Sequence, residues 1–166
     1  MNLVRLVSLG FTLFFAACSS PRYVYHYEPE KTATLNDDLA VAPPNAPAPV
    51  VAAIAAGNRI AGMPYSYGGG HGSEKPSGYD CSGATSYVLR AAGLLEAGAT
   101  NSNGFCHYGE SGEGKWITVY ARKGHVFLSV AGLRFDTGWA QRREGPLWTT
   151  QSRPADGTVL RHPPGF

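Results

Sequence analysis

The sequence predicts an α+β domain in which helices lead and a small antiparallel sheet follows. Two helical patterns come first, and a run of short strands separated by turns comes after them. The 21 glycines and 12 prolines are too many for a helical bundle. A chain of 166 residues leaves room for one compact domain and little else. Its net charge of +2 gives no electrostatic footprint for a nucleic-acid partner. A monomer is expected.

Residues 1–17 stand outside that fold. "MNLVRLVSLGFTLFFAACSS" carries one early cation, Arg5, then an apolar run from Leu6 to Ala17 that ends on small residues. This is the pattern of a secretory signal, too short to span a membrane in the mature protein. Its end, "FAAC", resembles a bacterial lipobox, which would make Cys18 the lipidated first residue of a lipoprotein. The alternative is an ordinary cleaved signal that happens to hold a cysteine. With Ser19 after Cys18, the resemblance implies export and an outer-membrane lipoprotein facing the periplasm. Residues 18–48 lack apolar periodicity and end in alanine and proline, so a disordered tether is expected there. The aromatic cluster Tyr23, Tyr25, His26 and Tyr27 offers a docking motif as the other reading.

The folded part is expected over 49–166. "PVVAAIAAGNRIAG" reads as a first helix, with Val50, Val51, Ile54 and Ile60 at helical spacing, Pro49 at the first helical position and Gly62 as its stop. The glycine-rich "PYSYGGGHGSEKPSGYD" then leads into a second helix from Cys81 to about Gly93, with Ala84, Tyr87, Val88 and Ala91 as its apolar face. Strands follow at 116–121, 125–131 and 133–139, and a last one at 157–162.

After signal removal two thiols are left, Cys81 and Cys106. In an exported protein they could pair, and a bridge would silence either as a nucleophile. A free cysteine is more often an inert packing residue. Cys81, however, falls in the first turn of its helix, with Asp80 placed to cap. Unpaired backbone N–H groups at a helix start favour an anion. Ser82 and Gly83 are small enough to let a substrate backbone come close.

A thiolate needs a base, and the base an orienting group. Of five histidines, only His125 opens a clear strand. If Ala131-Gly132 forms a two-residue turn, His125 lies opposite Gly138 and Asp136 points to the same face. Diagonal neighbours there are about 7–8 Å apart at Cα, close enough for a carboxylate to reach an imidazole. Two other patterns carry no chemistry. "GESGEGK" has phosphate-loop spacing, but it lacks the following Ser/Thr and runs into a strand. His71, His107 and Cys106 offer no metal-ligand pair at working spacing, so no metal or other cofactor is expected. Trp116, Trp139 and Trp148 suit a glycan groove or the core equally well.

Cysteine, histidine and a third polar residue on the next strand follow the chain order of papain-like enzymes. "GMPYSYGGG…YDCSGATSYVLRAAGLL" followed by "GHVFLSVAGLRFD" resembles, over about residues 50–140, the NlpC-type family of cell-wall cysteine peptidases. That resemblance implies a papain-like fold with Cys81 as nucleophile, His125 as base and Asp136 in the third position, where the family most often has histidine. It implies that Tyr65 lies near the nucleophile, and that peptidoglycan stem peptides are cut, commonly between D-glutamate and a diamino acid. Amidases and acyltransferases of the wider superfamily are the alternative. From another class, so is a catalytically idle wall-binding lipoprotein.

Overall fold

The computed structural model describes residues 22–72, 75–96, 98–138 and 144–166; the predicted signal, Cys18 and Trp139 lie outside the described residues. In chain order the elements are β1 (Arg22–Tyr23), β2 (Thr34–Asn36), β3 (Leu39–Val41), α1 (Ala48–Ile60), α2 (Cys81–Ala91), α3 (Ser102–Phe105), β4 (Glu110–Ser111), β5 (Ile117–Arg122), β6 (His125–Val130), β7 (Leu133–Asp136), β8 (Leu147–Thr149), β9 (Arg153–Pro154) and β10 (Val159–His162). The protein is α+β. Six strands form one sheet in the order β4-β10-β5-β6-β7-β8, and every neighbouring pair is antiparallel.

Two tight turns set the register of its centre. Arg122 pairs with His125 across the turn Lys123–Gly124. Val130 pairs with Leu133 across Ala131–Gly132. Both residues of that second turn have positive φ, 46° and 76°, as a two-residue hairpin of the favoured twist requires. Strand β7 stops at Asp136, short of the expected 139.

Alternation along the strands divides the sheet into two faces. Val119, Val126, Leu128 and Val130 join the main core with Val50, Ile54 and Ile60 of α1 and Ala84, Val88 and Leu89 of α2. Tyr120 and Phe127, the alternate residues, form a second cluster with Tyr23 and Ala155. On α2, Leu89 and Ala92 are buried while Ala91 is exposed, so the apolar stripe lies slightly round from the expected one. Trp148 belongs to the core: its indole fits over Gly57 of α1, where an added Cβ would lie 2.4 Å from the ring. Trp116 is half-buried against the same core.

The disordered tether is a correction. From Arg22 onward the chain is folded onto the domain. Strand β1 pairs with β9, about 130 residues away. Tyr23 is 3% exposed, meets Tyr120 and Phe127 edge-on, and donates its hydroxyl to the Gly132 carbonyl at 2.7 Å. Ala33 N–H donates to Ala131 at 2.8 Å. Further on, the Asn58 side chain of α1 bonds both the N–H and the carbonyl of Ala40, each at 2.9 Å. This segment needs no apolar periodicity of its own, because its order comes from single buried side chains, Tyr23, Ala33 and Ala40, and from polar and backbone groups bonded to distant partners. Tyr27, by contrast, stays exposed. Among the described residues no helix is long and apolar enough to cross a membrane.

Candidate active site

Helix α2 starts where the sequence places it because Asp80 caps it: its Oδ1 accepts the Gly83 N–H at 2.7 Å. Cys81 is the first helical residue, half-buried, and its thiol is free; Cys106 is free as well, so the two are not bridged. Cys106 donates its S–H to the Ser102 carbonyl at 3.6 Å.

His125 opens β6 as expected. Its Nε2 lies 2.9 Å from Asp136 Oδ1, and the Cys81 side chain is near enough to the same ring to raise its pKa. A carboxylate only accepts, so Nε2 carries the proton and Nδ1 is the nitrogen left to the sulfur. Burial pulls the imidazole pKa down, but its hydrogen bond to Asp136, the neighbouring Cys81 and the Asp136 charge outweigh it, and the net shift is upward. Cys81, His125 and Asp136 therefore come together.

Asp136 is held from several sides. Oδ1 also accepts the Thr137 N–H at 2.8 Å, and Oδ2 is bonded by Arg153 and lies 3.5 Å from Arg134 Nε. Arg134 is fully buried, its guanidinium 5.7 Å from the centre of the Tyr23 ring; Arg153 stands over Phe127 at 5.3 Å. Burial lowers the Arg134 pKa, the Asp136 charge opposes that, and Arg153 adds to it. Sequence reasoning missed both arginines. The sign for Arg134 was present, a cation alternating with Asp136 inside an apolar strand. Arg153 sits in a stretch with no period at all.

Tyr65 forms an isolated bridge with Tyr79. Its hydroxyl pKa is raised by burial and then by the nearby Cys81 and Asp80, which puts it in the neighbourhood of the sulfur. Ser82 and Gly83 are used differently from expectation. The Ser82 hydroxyl is buried, donates to Asp80 Oδ1 at 3.0 Å, and lies 3.0 Å from His71 Nε2. His71 in turn reaches Asp80 Oδ1 at 3.1 Å, and Asp80 Oδ2 accepts the Gly68 N–H at 2.9 Å. A Cβ on Gly83 would lie 1.9 Å from the Gly69 carbonyl, so it is the chain's own glycine loop that comes close there, not a substrate backbone. Ser82 is thus a correction: its hydroxyl fastens the loop to the helix start, and is not left to a substrate. His71 and Asp80 complete that clasp, which the sequence did not show. Among the described residues no three His, Cys, Asp or Glu side chains form a metal-ligand group.

A scan of the chain against models of known protein families finds no match. A search of curated proteins finds no match either.

Proposed function

We propose that the chain is a cysteine hydrolase of the papain-like, NlpC type that cleaves amide bonds in peptidoglycan stem peptides. One observation carries this reading: a single imidazole is bonded to a buried carboxylate and has beside it a free thiol at a helix start. That is the nucleophile, base and orienter arrangement of acyl-transfer catalysis. The choice of substrate rests on the resemblance of the Asp80–Gly83 and Gly124–Val126 motifs.

In the reaction, the Cys81 proton passes to His125 as the sulfur attacks the amide carbonyl. A carbon–sulfur bond forms, and the tetrahedral oxyanion is met by the Cys81 backbone N–H and the Tyr65 hydroxyl. His125 then gives its proton to the leaving nitrogen as the carbon–nitrogen bond breaks. Water, deprotonated by His125, attacks the thioester and restores the thiol. Asp136 keeps the Nε2–H tautomer throughout and stabilises the imidazolium. The bond between D-glutamate and the diamino acid is the proposed target, and Cys18 the proposed lipid anchor in the outer membrane.

Digestion of purified sacculi by the wild-type chain should release peptides whose masses identify the bond cut. Cys81→Ala should lower that release by about 10⁴-fold or more while leaving the fold unchanged. Retained cleavage by that variant would refute the scheme.

A further inference from the structure

Two guanidinium groups meet Asp136 by different routes. Arg134 lies two residues before it on β7 and is fully buried. Its Nε stands 3.5 Å from Oδ2, beyond the roughly 2.7–3.2 Å of an N–H···O bond. Arg153 arrives from β9, 17 residues along the chain, and its Nη1 donates to that same oxygen. Its guanidinium also lies 5.3 Å from the centre of the Phe127 ring, two residues after His125 on β6. Strand β9 is two residues long and is paired with β1, with Tyr23 directly across from Arg153.

The carboxylate is divided between its neighbours. Oδ1 takes the His125 ring at 2.9 Å and the Thr137 N–H at 2.8 Å, while Oδ2 takes Arg153. The last torsion of an aspartate side chain is broad, so a carboxylate held at one oxygen turns readily. A charge-assisted bond at the other oxygen stops that rotation. Of the two arginines, Arg153 makes the close contact with Oδ2. Its charge also opposes the pull of Asp136 on the imidazole proton, which leaves the ring freer to pass that proton on.

We propose that Arg153 is a positioning residue for the reaction: it locks the Asp136 carboxylate so that Oδ1 stays on the His125 Nε2–H, and β1 holds Arg153 in place. The kinetic consequence rests on the hydrolase reading; the geometry does not.

Two variants of the full chain test this. Arg153→Met keeps an apolar stem against Phe127 and removes the charge and the donors. Arg153→Lys keeps the charge without the planar fork. The first readout needs no turnover: the far-downfield proton NMR signal of an imidazole N–H bonded to a carboxylate, assigned by its absence from His125→Asn. It should be present in the wild type, weakened in Arg153→Lys and absent from Arg153→Met. Arg161→Met is the control, because Arg161 bonds the carbonyls of Tyr108 and Gly109, each at 2.6 Å, and should leave the signal in place. The second readout is cleavage of L-alanyl-γ-D-glutamyl-diaminopimelate. Arg153→Met should lower kcat about 10–100-fold with KM nearly unchanged, the loss expected for one charge-assisted hydrogen bond, and Arg153→Lys should recover part of it. Should Arg153→Met not fold, Arg153→Lys decides alone: a weakened signal and a lowered kcat support the role. No signal in the wild type, a signal unchanged in the Arg153 variants, or a kcat equal to that of Arg161→Met would overturn it. Cleavage by the wild type alongside an unchanged signal leaves the hydrolase standing without this role for Arg153. The expected signals without any cleavage leave the Arg153 lock standing and remove the hydrolase.

Discussion

The two faces of the central sheet are built on opposite principles. One is apolar and uncharged: Val126, Leu128 and Val130, with Phe135 and Trp148, against α1 and α2. The other is aromatic and ionic: Tyr120 stacked on Phe127 at 4.5 Å, then Arg134, Asp136 and Arg153, covered by the segment that starts at Arg22. The apolar face supplies stability and sets where α2, and so Cys81, lies. The ionic face sets the orientation of His125 through Asp136. Its buried charges are costly to remove from water and repay that cost only while every partner is present.

The largest expected effect is therefore on the ionic face. Asp136→Asn leaves two guanidinium groups without their shared carboxylate and should cost about 3–5 kcal/mol of stability by urea unfolding. A loss below about 1 kcal/mol would show that the cluster is not electrostatically coupled.

A matched pair of truncations tests the division of labour. Tyr23→Ala and Leu128→Ala each remove a buried side chain and should each cost about 2–5 kcal/mol. Only Tyr23→Ala loosens Arg134 and the Gly132 bond, so it alone should also move the pH profile of sacculus cleavage. If Leu128→Ala moves that profile equally, the two faces do not act separately.

The smallest effect is pH-dependent. The folded His125 pKa lies above its ordinary value of about 6.5, so folding favours the protonated ring. That contribution is fully present below about pH 6.5 and is lost as pH rises through the raised folded value. Comparing unfolding free energies of the wild type and His125→Asn between about pH 5.5 and 8.5 should show a decline in the wild type that the variant lacks.

The legible part of the molecule was local. Asp80 capping α2, His125 opening a strand, and the Ala131–Gly132 turn setting the register that brings Asp136 to His125 are all decided by residues within a few positions of one another. What stayed hidden depends on distant pairing. Tyr23 gains its order from Gly132 and Phe127, and Arg153 finds Asp136 from a stretch without periodicity. No pattern around either residue signals its partner. Ser82 and Gly83 were misassigned for the same reason: smallness at a helix start admits a loop as readily as a substrate, and the partner, Gly69 with His71, lies across a glycine-rich span.

The Ala131–Gly132 turn joins β6 to β7, and its two carbonyls accept the Ala33 N–H and the Tyr23 hydroxyl. Tension applied at the N-terminal end of the described chain is therefore borne first by β1 and β9 and by this hairpin, whose strands hold His125 and Asp136. A mechanical load on the leading segment and the alignment of the imidazole share one path through the molecule.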